Sequence, residues 1–190
     1  MNRLVASSAG LGVALAVLAA PAARAAHWTV DPAKSTLGFS GMQTGTPFSG
    51  KFTRYEASID FDPAHPESGH ASVTIDMTSA VTGDAQRDGS LPEADWFDVK
   101  DFPKARFEAT RFRAKGGNAY EALGTLSIRG FKKDVVLPFT LTLDGDTATA
   151  KGGLALLRGD YGVGQGAWAS DQWVAFKVGV DVDLTAKKAP

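Results

Sequence analysis

Apolar and polar side chains alternate along KDVVLPFTLTL. Val135, Leu137, Phe139, Leu141 and Leu143 fall on one face, and Val136, Pro138, Thr140 and Thr142 on the other. Side chains of a strand point to opposite faces every second residue, so this period predicts a half-buried strand. The same alternation places Val174, Phe176, Val178, Val180, Val182 and Leu184 on one face of a last strand, with Lys177, Asp181 and Asp183 opposite. Shorter runs do likewise: Tyr55, Ala57, Ile59 and Phe61; Val73, Ile75 and Met77; Leu126 and Ile128. In ARFEATRFR, Phe107 and Ala109 are in phase but Phe112 slips out of it, which predicts a β-bulge. Turn residues punctuate the runs at Asp62-Pro63, Glu67-Ser68-Gly69, Gly116-Gly117-Asn118, Arg129-Gly130 and Asp144-Gly145-Asp146. These connections suit hairpins and are too short for helical crossovers. Residues 83–101, GDAQRDGSLPEADWFDVKD, lack the two-residue period; one or two short helices are expected there, with Trp96 and Phe97 turned inward. The pattern predicts an all-β domain of about eight antiparallel strands with one helical insertion. Strands apolar on one face close into a barrel or stack into a sandwich, and the pattern alone does not separate the two.

The N-terminus adds a compartment. Arg3 is followed by an apolar run from Leu4 to Ala20, a break at Pro21 and a small-x-small site at Ala23-Arg24-Ala25. This predicts an export signal over residues 1–25 and a periplasmic mature chain, rather than a membrane anchor. The expected domain covers residues 26–186, with a frayed tail at 187–190. No cysteine occurs, so disulfides and Cys-based metal or redox sites are excluded. The signal carries Arg3 and Arg24 and no acid, which leaves 18 basic against 21 acidic residues in the mature chain, a net −3. That interspersed balance argues against nucleic-acid binding.

Chemistry is sparse. His27 stands at the expected mature N-terminus, and His65 and His70 share a loop where a metal site would need a third ligand placed by the fold. No nucleophile elbow, zincin or P-loop motif appears. The stretch LLRGDYGVGQGAW contains an Arg158-Gly159-Asp160 tripeptide and a glycine-rich run from Gly162 to Gly166. A phosphate loop must open a helix, whereas Gly166 leads into a loop and then a strand. Leu154, Leu156, Leu157, Tyr161 and Val163 surround the tripeptide, so a strand and tight bend close to the core are expected instead of an adhesion loop.

Assembled in order, the motifs resemble the YceI-like family of lipocalin-like periplasmic proteins that bind polyisoprenoid lipids. They are Trp28-Thr29-Val30-Asp31-Pro32 with Ser35, Leu37 and Phe39; Phe48-Ser49-Gly50-Lys51-Phe52, where the family has a turn; Ile59-Asp60-Phe61-Asp62; and Val73-Thr74-Ile75-Asp76. Next come Arg87-Asp88, Leu91, Trp96-Phe97-Asp98, Phe102-Pro103, Ala105-Arg106-Phe107, Gly124 through Gly130, and Arg158 through Gly164. The ending from Gln165 to Trp173 resembles a branch that often accompanies cytochrome b561-type membrane proteins; Ala167 stands where that branch often has Glu. The resemblance implies a β-barrel whose apolar lumen holds an isoprenoid lipid such as ubiquinone or a polyprenyl phosphate. It implies no catalytic residue and no metal or other cofactor, and it is compatible with a homodimer. The expected lining is Phe39, Phe48, Phe52, Ile75, Met77, Phe97, Phe107, Leu126, Ile128, Phe139, Leu156, Tyr161, Trp168 and Phe176, with Arg87 and Arg158 as head-group candidates. An enzyme acting on a hydrophobic substrate inside the barrel, and a barrel filled by its own side chains, are the competing readings.

Overall fold

The computed structural model describes residues 25–190, so the expected export signal lies outside the described residues, Ala25 apart. Eleven strand segments form one antiparallel sheet that closes on itself. They are β1 (Ala26–Val30), β2 (Thr36–Gln43), β3 (Thr46–Phe52), β4 (Tyr55–Phe61), β5 (His70–Asp76), β6 (Ala80–Val81), β7 (Lys104–Gly116), β8 (Ala119–Ile128), β9 (Phe131–Asp144), β10 (Thr147–Leu157) and β11 (Lys177–Lys188). The first six are broken halves of three staves: β1 with β2, β3 with β4, and β5 with β6. β1 pairs β4 while β2 pairs β3, and β3 in turn pairs β6. β11 closes the ring by pairing both β1 and β2. The result is an eight-stave barrel with every stave beside its sequence neighbour, a size that its own side chains fill or that encloses one small ligand.

The breaks have local causes. Pro32–Lys34 forms a 3-10 turn whose Asp31 side chain accepts from Ala33 N–H. The second stave bends at Thr53–Arg54 and the third at the 3-10 turn Met77–Ser79. Buried Ser79 stitches these two bends together: its hydroxyl donates to the Asp76 carbonyl at 2.7 Å and accepts from Arg54 N–H at 3.1 Å. Arg54 closes the same corner through Asp76, Nε to Oδ2 at 2.9 Å.

The hairpins turn where the sequence predicted. Arg129-Gly130 takes positive φ at both residues, 49° and 78°, the combination a two-residue hairpin turn needs. A second such turn, Thr44-Gly45, which the sequence reading did not mark, joins β2 to β3. The turn expected at Phe48–Phe52 is not there: Gly50 lies inside β3, where a Cβ would collide with the Phe39 ring and the Val81 carbonyl. The slip at Phe112 is the expected bulge, a register shift between Ala109 and Arg111 that leaves Thr110 unpaired. The insertion holds one helix, α1 (Ala85–Ser90), followed by turns to residue 103. Two boundaries differ from expectation. The last strand starts at Lys177, with Val174 making only an isolated bridge to Gln43. At the chain end, β11 runs through Lys188, and Ala189 N–H donates to the His27 carbonyl, so Lys187, Lys188 and Ala189 of the tail expected to fray are tied to the sheet.

Candidate ligand cavity and its polar margins

The inward faces of the staves line a cavity with about 1250 Å3 of atom-free space, mouth included. Each strand contributes alternate residues: Ala57, Ile59 and Phe61 from β4, Ala71, Val73 and Ile75 from β5, Val135, Leu137, Phe139 and Leu141 from β9, and Val180, Val182, Leu184 and Ala186 from β11. Trp28, Leu37, Tyr55, Phe107, Phe112, Ala122, Leu126, Ala148, Ala150 and Leu154 complete it. The Trp28 indole N–H is satisfied by the Phe61 carbonyl at 3.0 Å. That leaves the Tyr55 phenol as the one other polar side-chain group in the wall.

Aromatic rings close one end. Phe61 meets Phe112 and Tyr120 edge-on, with centroids 4.9 and 5.4 Å apart, and Tyr120 stacks on Phe139 at 5.6 Å. The other end lies under the helical insertion, where Phe97 packs against Leu37, Ile75, Met77 and Ala105. Alanines between the two ends leave the space that larger residues would fill.

Four of the fourteen expected lining residues face this lumen: Ile75, Phe107, Leu126 and Phe139. The others sit at the insertion end. Phe39, Phe52 and Phe97 form a column with centroids 5.2 and 6.2 Å apart. Met77 and Ile128 pack with that column, and Leu156 and Tyr161 with Leu126 and Val163. Phe48 and Trp168 line a separate cavity beside α1, and Phe176 is partly exposed. The expectation favoured bulky aromatics, but the hairpin β2–β3 reaches past its neighbouring strands, so Phe39 and Phe52 cap the barrel and only Leu37 of this hairpin lines it. Trp28, Tyr55, Ala57 and the other alanines were missed, although their in-phase positions carried the signal.

Arg158 cannot serve as the expected head-group contact, because its guanidinium is consumed internally. Buried at 3% exposure, it donates to six backbone carbonyls. Nε reaches Ala175 at 3.1 Å; Nη1 reaches Val163 at 2.9 Å and Gly164 at 3.4 Å; Nη2 reaches Trp168, Ser170 and Val174, each at 2.8 Å. Burial pushes its pKa down, opposed by Asp171. The glycines serve this hub: Gly164 has φ of 84°, and a Cβ there would collide with Arg158 Nη1. The tripeptide is a 3-10 turn whose arginine is inaccessible, so it is no adhesion loop. Ala167 is exposed beside Trp168, and nothing in the structure explains its departure from Glu.

Where the first two staves break, the wall opens into a polar cleft lined by Ser35, Lys51, Arg54, Glu56, Asp76 and Lys104 among others. Tyr55 alone lines both cleft and lumen. Its buried Oη makes no hydrogen bond. Burial pushes the phenol pKa up, and the Ser35 hydroxyl beside it partly offsets this. Among the described residues, no group of three or more His, Cys, Asp or Glu side chains could hold a metal ion.

The profile of the YceI-like domain matches residues 28–186. The chain belongs to the YceI-like family. A UPF0312 protein of Azotobacter vinelandii is 28% identical over 188 residues, covering 91% of this chain and 95% of that one. One of Photorhabdus laumondii is 32% identical over 139 residues, covering 72% of each. Among solved structures, BcnA of Burkholderia cenocepacia superposes with a TM-score of 0.81 at 35% identity, over 83% of this chain and 99% of that one. A polyisoprenoid-binding domain from Saccharophagus degradans has the same fold, with a TM-score of 0.66 at 16% identity over 87% of this chain and 99% of its own.

Proposed function

We propose that this YceI-like protein is an exported carrier that holds an isoprenoid lipid, a prenyl quinone or a polyprenyl phosphate, in its lumen without performing chemistry on it. The observation that carries the reading is the lumen itself: a continuous apolar wall drawn from all eight staves. Burial contributes about 0.8 kcal/mol for each CH2-sized group. Several isoprene units therefore outweigh the costs of ordering the chain and of association. The polyisoprenoid-binding domain of the same fold supports the choice of ligand class. Export rests on the sequence of residues 1–25, and a functional link to a cytochrome b561-type membrane protein rests on the resemblance of the 165–173 segment.

Native mass spectrometry of the protein purified from its own host tests the reading. The expected result is a co-purified isoprenoid lipid. Empty protein that also fails to take up added prenyl quinone would overturn it, and retention of the chain in the cytoplasmic fraction would overturn export.

A further inference from the structure

The barrel wall is stitched unevenly. β9 pairs β8 over residues 131–140, and β10 pairs β11 along its whole length. Between themselves, β9 and β10 pair only over residues 139–144 and 147–152. The ladder stops beside Pro138, which has no N–H to give it. Beyond that point residues 134–138 and 153–157 carry no pairing to each other, and the turn Arg158–Tyr161 touches both strands at the foot of the fork. Leu137 and Leu154, one from each lip, line the lumen. The seam is thus a stretch of lumen wall that no strand pairing closes.

Exposed apolar side chains collect along the same margin. Val136 on one lip is 47% exposed, Leu157 on the other 52%, and Phe131 49%. A Cβ on Gly162 would strike the Phe131 ring, which places Phe131 at the foot of the fork. Backbone hydrogen bonds carry the row onward. Arg158 N–H donates to the Phe176 carbonyl, Ala175 N–H to Met42 and Thr44 N–H to Trp173. Phe176, Met42 and Trp173 are exposed as well, which leaves only Val81 and Leu143 elsewhere among the exposed large hydrophobics of the described residues. Lys132, Lys133 and Lys177 edge the row and are balanced by Asp134, Asp160 and Asp171, so its attraction is apolar rather than electrostatic. Apolar residues gathered in this way mark an interaction surface. Tryptophan, phenylalanine and leucine edged by lysine are the side chains that settle at a membrane–water interface. A bilayer is the partner that the seam favours: an apolar ligand leaving the lumen into water would expose all the surface that binding had buried, and a bilayer pressed on the seam removes that cost.

We infer that this margin docks on the surface of a lipid bilayer by shallow insertion of Phe131, Leu157 and Trp173, and that the lumen ligand passes between β9 and β10. The passage rests on the lumen reading, and the docking does not.

The test is flotation with vesicles of phosphatidylcholine, alone or mixed with phosphatidylglycerol, followed by transfer of radiolabelled squalene from loaded protein to the vesicles. Wild type should float with both vesicle types and at high salt. Leu157→Ser, at the most exposed of these positions, should lower the partition coefficient about three- to tenfold, and Phe131→Ser/Leu157→Ser about ten- to a hundredfold. Leu143→Ser, at the opposite end of β9, should stay within about twofold of wild type. The chain has no cysteine, so Val136→Cys/Ala155→Cys, which a continued register would set opposite each other, can be joined across the seam by a bifunctional thiol reagent. The joined protein should float as wild type does and release squalene about tenfold more slowly. Wild type that does not float, or floats no better than Phe131→Ser/Leu157→Ser, overturns the docking. Flotation that needs phosphatidylglycerol and vanishes at high salt overturns the apolar insertion. Unchanged release from the joined protein overturns the side passage. Squalene that fails to bind wild type overturns the lumen reading and the passage with it, while flotation still decides the docking.

Discussion

Replacing Arg158 by Met would leave six carbonyl oxygens without their donor. Breaking a buried charge-assisted network of this kind costs about 3 kcal/mol or more. The expected outcome is a large drop in the urea midpoint, with the 158–176 loop the first segment to exchange its amides. Gly164→Ala acts on the same hub through backbone strain and a steric clash, at a cost of about 1–3 kcal/mol. A fall of less than about 0.5 kcal/mol in either variant would count against Arg158 as the organiser of this end. A second residue-scale effect is acid sensitivity. The Thr78 hydroxyl, then Arg54, hold the Asp76 carboxyl below its usual value. A carboxyl whose folded pKa is depressed contributes stability that is fully present above the unfolded value of about 3.9 and is lost as pH falls through the lower folded value. Asp76→Asn should therefore flatten the acid limb of the stability–pH curve below about pH 4, and leave its shape near neutrality unchanged.

At the scale of the element, the bulge in β7 decides which way a strand faces. Thr110 is the extra residue between Ala109 and Arg111, and it returns Phe112 to the inner face, where it joins Phe61 and Phe139. A one-residue shift sends every following side chain to the opposite face. Deleting Thr110 should remove the bulge yet keep Phe112 inward, because Arg111 and Phe112 already oppose Leu123 and Ala122. Thermal melting should therefore show a shift of no more than a few degrees; expulsion of Phe112 or failure to fold would count against this register. The slip was legible in the sequence because Phe107 and Phe112 cannot both face inward without it. The breaks in the first three staves were not legible. A two-residue period interrupted at Thr53–Arg54 reads as two strands, and the knowledge that both halves belong to one stave comes from pairing with β1 and β2.

At the scale of the whole molecule, the lumen exists because small residues recur on inner faces. Ala57, Ala122, Ala148 and Ala150 line it. Ala150→Phe should fit into the free space, changing stability by less than about 1 kcal/mol and lowering the amount of lipid seen by native mass spectrometry. A filled core would instead lose about 1–3 kcal/mol to overpacking.

Strand period, turn residues and the bulge follow from local rules, so the sequence by itself determined an antiparallel all-β domain, and its ordered motifs determined the family. Only the tertiary structure decided which inward-facing residues meet empty space and which meet one another. Lumen and packed core share the same two-residue period, and their difference lies in how far the staves stand apart. The arginines show the same division. Arg87 and Arg158 are alike in the sequence as arginines followed closely by an aspartate, yet long-range folding surrounds Arg158 with carbonyls and leaves the Arg87 guanidinium without a hydrogen-bond partner among the described residues.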